Sequence, residues 1–62
     1  MNSREAIRQL VVDGWYQVAQ VGSHLQFKHA TKLGRVTVPH PNKDMPIGTL
    51  RNIARQAGLK LD

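Results

Sequence analysis

Two strand-like runs meet at Gly22-Ser23, and that junction restricts the folds open to the chain. Trp15 to Val21 is rich in aromatic and β-branched residues, the kinds that favour a pleated, half-buried surface. His24 to His29 alternates: Leu25 and Phe27 face one way, His24, Gln26 and Lys28 the other. A two-residue connection containing glycine suits a tight antiparallel hairpin. The alternation of the first run breaks, because Trp15 and Val21 share one parity while Tyr16 and Val18 share the other. Its buried face is therefore left unassigned, and a β-bulge would account for the break.

The rest of the chain supplies what a hairpin needs to cover one face. Asn2 or Ser3 can cap a first helix, with Glu5 at capping-box spacing from Asn2. Ala6, Ile7, Leu10 and Val11 form an apolar stripe at helical spacing, and Asp13-Gly14 ends it with a glycine suited to a left-handed cap. After the short connection Ala30 to Gly34, a third strand is predicted over Arg35 to Val38, with Val36 and Val38 on one side and Arg35 and Thr37 on the other. Pro39 to Asp44 reads as a loop, since its prolines break a regular ladder. Pro46 suits the first position of a second helix, whose stripe is Ile47, Leu50, Ile53, Ala54 and Ala57 and whose end is Gly58. The order is helix, three strands, helix. This predicts one α+β domain over residues 1–62, a three-stranded antiparallel meander with both helices on one face. The opposite face is then polar and cationic, with His24 at its edge.

Size and composition narrow the chemistry. A chain of 62 residues buries only about 60% of its unfolded surface, leaving no room for a deep cavity or a large cofactor. Cysteine is absent, which removes disulfides and thiolate metal sites. No run approaches the roughly 18 apolar residues of a membrane span, and no apolar leader opens the sequence, so the expectation is a cytoplasmic protein without membrane contact. Nine Lys and Arg against four Asp and Glu give a net charge of +5, a balance that attracts polyanions, nucleic acid foremost. The acids Glu5, Asp13, Asp44 and Asp62 are scattered, whereas metal-dependent nucleases gather carboxylates around Mg²⁺. No metal and no cofactor are expected.

Histidine is the one side chain whose ordinary pKa lets it give or take a proton near neutral pH. His24, at the hairpin corner and beside lysine and arginine, is the candidate for acid/base work on a ribose 2′-hydroxyl. Gly22 and Ser23 would shape the turn and let RNA approach, and Ser23 lacks the acidic companion a nucleophile requires. Lys28, Arg35 and Lys43 are the candidate phosphate contacts. Arg51 and Arg55 on the second helix offer another basic surface. Tyr16 is a candidate for stacking a base, Trp15 for anchoring the core. His29 is read as a packing or edge residue. His40, between two prolines, reads as structural or as a weak phosphate contact.

Gly14-Trp15, Gly22-Ser23-His24, Phe27-Lys28-His29, Val36-Thr37-Val38-Pro39-His40, Pro46 to Ile53 and Gln56-Ala57-Gly58-Leu59 together resemble the HicA toxins of bacterial toxin–antitoxin pairs. The likeness spans almost the whole chain. It implies a fold like a double-stranded-RNA-binding domain and an endoribonuclease that cuts messenger RNA, an mRNA interferase, with the histidine of the Gly-Ser-His turn, His24, as its catalytic group. It also implies a HicB-type antitoxin that neutralises the toxin in a higher-order hetero-oligomer, the free toxin being a monomer. Many members carry a basic residue in the strand before the turn; this chain has Ala19, Gln20 and Val21 there. Two readings compete with catalysis: an RNA-binding module in which His24 is only a contact, and a protein-interaction domain whose basic face serves an acidic partner.

Overall fold

A computed structural model describes residues 1–61; Asp62 lies outside the described residues. Its elements are α1 (Ser3–Val12), β1 (Trp15–Val21), β2 (His24–His29), β3 (Val36–Pro39) and α2 (Ile47–Ala57). The strands form one antiparallel sheet in the order β1-β2-β3. This is the α-β-β-β-α arrangement read from the pattern.

Each element has a local cause. Asn2 caps α1, its side chain accepting the Glu5 N–H at 2.8 Å. The chain leaves α1 through Gly14 at φ 105°, a conformation that L side chains rarely adopt. Gly22 at φ 59° makes the hairpin corner, with no positive φ at Ser23, as a type II′ turn requires. Gly58 closes α2 in the left-handed region, its N–H bonded to the carbonyls of Ala54 and Arg55.

The core lies between the helices and one sheet face. Trp15, Phe27, Leu10, Ile53, Val36 and Val38 are its largest fully buried apolar side chains, with Ala6, Ala57, Leu25 and Met45 completing it. Both helices therefore cover the side of Leu25, Phe27, Val36 and Val38. Met45 enters from the loop before α2, a contribution no periodic stripe announces.

Three details differ from the pattern. The third strand runs one residue later than predicted, Val36–Pro39 rather than Arg35 to Val38. Pro39 fits because it ends an edge strand, where its missing N–H removes little from the ladder. Pro46 is the N-cap of α2, not its first helical residue; at ψ 148° it is still extended. The helical stripes are also narrower than drawn. Ile47 is 67% and Val11 55% exposed, whereas Ala6, Leu10, Ile53 and Ala57 are buried. Val11 follows the buried Leu10 by one residue, which turns it about 100° around α1 from the covered side, and Ile47 is the first residue of α2.

Candidate functional site

The first strand settles which side chains share the open face. Register is Trp15–His29, Tyr16–Lys28 and Gln17–Phe27, then shifts at Val18 to Ala19–Gln26, Gln20–Leu25 and Val21–His24. A bulge adds one residue to its strand and so reverses the in–out alternation beyond it. Trp15 points to the core while Val21, of the same parity, points to solvent. On the open face the cross-strand rows are Val21, His24, Pro39; Ala19, Gln26, Thr37; and Tyr16, Lys28.

His24 is exposed and stands at the corner of this face. Its neighbours across the strands are Val21 and Pro39, and along its own strand Gln26. None of the three titrates, so the sheet brings no second acid or base beside the imidazole. The Arg35 guanidinium donates to Gln26 Oε1 at 2.6 Å, which makes Arg35 the cation held next to His24's nearest neighbour along β2. Lys28 lies four residues from His24 on the same strand, about 13 Å at ~3.3 Å per residue. Lys28 and Arg35 thus share the face with His24, but only Arg35 is tied toward it. Lys43 is elsewhere, in the loop before α2. The turn itself is bare: Gly22 and Ser23 are exposed, and a side chain added at Gly22 would meet nothing within 4 Å.

The turn is held from behind. The His40 N–H donates to the Ser23 carbonyl at 2.7 Å, continuing the β2–β3 pairing past Pro39. The His40 side chain turns to the opposite side of the sheet, where Nδ1 lies 2.7 Å from Ser3 Oγ. Ser3 is 2% exposed and its hydroxyl oxygen also accepts the Asn42 N–H at 2.9 Å. The Ser3 N–H donates to the Asn42 carbonyl at 2.8 Å. Helix α1, the 40–42 loop and the turn are one connected unit. In the sequence Ser3 reads only as a helix cap, because a serine at a helix start carries no sign of a partner 37 residues away.

The remaining histidine is structural. His29 Nδ1 accepts backbone N–H groups from Thr31 at 3.1 Å and Lys32 at 3.2 Å. The ring proton is therefore on Nε2, which donates to the Asp13 carbonyl at 2.7 Å. Its ring meets Trp15 edge-on, centroids 5.2 Å apart. Beside it Lys32 Nζ donates to Asp13 Oδ2 at 2.6 Å and to the Ala57 carbonyl at 3.0 Å, joining the ends of α1 and α2. The Lys32 hydrogen bond holds the Asp13 carboxyl below its ordinary pKa; partial burial opposes this, and the Lys32 charge and the Trp15 indole N–H add to it.

Among the described residues, no three His, Cys, Asp or Glu side chains gather as a metal site would need. No helix is long and apolar enough to cross a membrane.

Comparison with known proteins places these features in company. The family model for the HicA toxin of bacterial toxin–antitoxin systems matches residues 3–59. A chain of the solved HicA3 and HicB3 toxin–antitoxin complex is similar over the full length of both chains, with a TM-score of 0.86 and 32% sequence identity. No curated protein sequence gives a significant match.

Proposed function

The chain belongs to the HicA toxin family of bacterial toxin–antitoxin systems, and on that premise we propose that it is a metal-independent endoribonuclease, an mRNA interferase working at the His24 turn. The observation that carries this reading is an exposed imidazole at a bare glycine turn, one corner of a face bearing Arg35 and Lys28. An RNA strand laid on that face can bring a ribose 2′-oxygen to His24 without meeting a side chain at Gly22.

The neutral imidazole takes the 2′-hydroxyl proton, and the 2′-oxygen attacks the adjacent phosphorus. The bond to the 5′-oxygen breaks, leaving a 2′,3′-cyclic phosphate and a 5′-hydroxyl. Arg35 offsets charge that builds on the phosphoryl oxygens. No titrating neighbour stands beside His24, so the leaving 5′-oxygen takes its proton from solvent or from the same imidazole once charged. Lys28, further along the strand, holds a flanking phosphate.

A HicB-type antitoxin would neutralise the toxin by covering this face. Tyr16, Val18 and Val21 are 52%, 41% and 63% exposed on β1. An apolar strip beside cations suits a protein partner with apolar and acidic groups, and net +5 favours fast association with such a partner. RNA and antitoxin then compete for one surface.

Digestion of messenger RNA in EDTA, with mapping of the ends, tests the chemistry. Cleavage should survive chelation and leave 2′,3′-cyclic phosphate or 3′-phosphate ends. Strict Mg²⁺ dependence, or 5′-phosphate ends at internal cuts, contradicts the mechanism. Binding of RNA without any cutting would favour the non-catalytic module.

A further inference from the structure

Behind the Ser23–His24 corner lies a second group of cations that the open face does not include. A cleft of about 300 Å³ runs between the start of α1 and the loop 40–43, and Asn2, Arg4, His40 and Lys43 line it. Arg4 and Lys43 are exposed, and among the described residues neither is within ion-pair distance of a carboxylate. No carboxylate lines the cleft. Lys32, by contrast, is a cation already held by Asp13.

The cleft has a fixed floor. Ser3 Oγ lies on His40 Nδ1 and on the Asn42 N–H, so the imidazole is pinned through Nδ1 and Nε2 is the nitrogen that can meet a ligand. Two of the first α1 amides are already used, the Ser3 N–H by the Asn42 carbonyl and the Glu5 N–H by the Asn2 side chain. The cleft and the corner share a backbone link but lie on opposite sides of the sheet. His24 pairs with Pro39, and the next residue, His40, donates its N–H to Ser23. A strand passing over His24 reaches this cleft by turning around the end of β3 toward the start of α1.

We propose that the cleft is a phosphodiester subsite, which takes the backbone of the RNA strand beyond the cleavage position through Arg4, Lys43 and His40 Nε2. Arginine offers a planar fork matched to phosphate oxygens and lysine a mobile point charge. No tryptophan, tyrosine or phenylalanine lines the cleft, so it holds backbone and adds no base preference. This inference rests on RNA being the substrate.

The test uses the full chain with His24→Ala, so that RNA survives, and compares it with the same chain carrying Arg4→Gln and Lys43→Gln. Affinity for single-stranded RNA is measured against salt for a series of lengths. Loss of two phosphate contacts should make the slope of log K against log salt shallower by about 1.4, at roughly 0.7 per contact on a single strand. The loss should be the same for unrelated sequences and absent from oligonucleotides too short to leave the sheet face. Arg8→Gln, which removes a like charge lining a different cleft, should leave the slope nearly unchanged. Inorganic phosphate, titrated against the labelled wild-type chain, should shift the His40 ring and Lys43 amide signals first. An unchanged slope in the double variant, from a protein whose wild type cuts RNA, overturns the subsite and leaves the cleavage reading standing. A wild type that cuts no RNA overturns the cleavage reading, and the phosphate titration then decides on the cleft alone. Loss of antitoxin affinity with RNA binding intact would assign the cleft to the protein partner and overturn the proposal.

Discussion

At the scale of single residues, the three histidines have three fates, and the surroundings decide each. His24 faces Val21 and Pro39, whose side chains carry no hydrogen-bonding group, and is the histidine proposed for chemistry; His29 has both ring nitrogens bonded and serves the fold; His40 has one nitrogen pinned and one available. Parity alone separated His24 from His29 in the sequence, because a strand side chain's face follows from counting. It could not reveal the Ser3–His40 bond, which depends on where α1 docks. Gly14 is the tightest point: a Cβ there would lie 2.8 Å from His29 Nε2 at a φ of 105°. Gly14→Ala should destabilise the chain by about 1–3 kcal/mol, the usual scale for a non-glycine residue held in a sparsely populated conformation. Gly22→Ala meets open space and should cost only the strain of a positive φ at a type II′ corner, about 1–3 kcal/mol; Gly14→Ala adds the His29 clash, so urea unfolding should find it the less stable of the two. Asp13 gives a pH signature. Its folded pKa is lowered, so its contribution is fully present above the unfolded carboxylate value and is lost as pH falls through the folded one. Asp13→Asn should therefore lower the Tm at neutral pH, and the gap to wild type should close in acid. A gap that persists unchanged at low pH would mean that the Lys32 pair does not act through the carboxylate charge.

At the scale of elements, the apolar rhythm of the sequence was enough to place both helices, both hairpins and the covered face. Alternation in β2 and β3 reads directly as burial because those strands lie under the helices. β1 did not read, and the reason is the bulge at Val18, where one extra residue reverses every later side chain. The helix stripes are narrower than the periodicity draws them, because Val11 lies about 100° around α1 from the buried Leu10 and Ile47 only opens α2. Two further buried side chains follow no repeat: Met45 enters from the loop before α2, and Ser3 is buried at the first residue of α1. Ser3 ties α1 to the loop that backs the turn. Ser3→Ala leaves the Asn42 N–H and His40 Nδ1 without their partner, and should cost about 1–3 kcal/mol by chemical denaturation. It should also loosen the His40–Ser23 bond, seen as faster amide exchange at His40. Protection at His40 equal to wild type would show that the turn is held without α1.

At the scale of the whole molecule, a small domain builds its core on one sheet face and leaves the other, the face proposed to take RNA, open. One face is roofed by helices; the other carries His24, Arg35, Lys28 and an apolar strip on β1. If RNA and antitoxin use that same face, Lys28→Glu with Arg35→Glu should weaken both, with the fold intact because both side chains are exposed. Competition between RNA and antitoxin for the His24→Ala protein reads this directly, and simultaneous binding of both would place the antitoxin elsewhere. The roofed face supplies the stability that lets the corner histidine be removed without unfolding the chain. Growth after induced expression of His24→Ala, with circular dichroism as the folding control and antitoxin binding as the check on surface integrity, tests the central claim. The expected result is a folded, antitoxin-binding protein that no longer arrests growth or cuts RNA; arrest as complete as wild type would contradict the assignment of catalysis to His24.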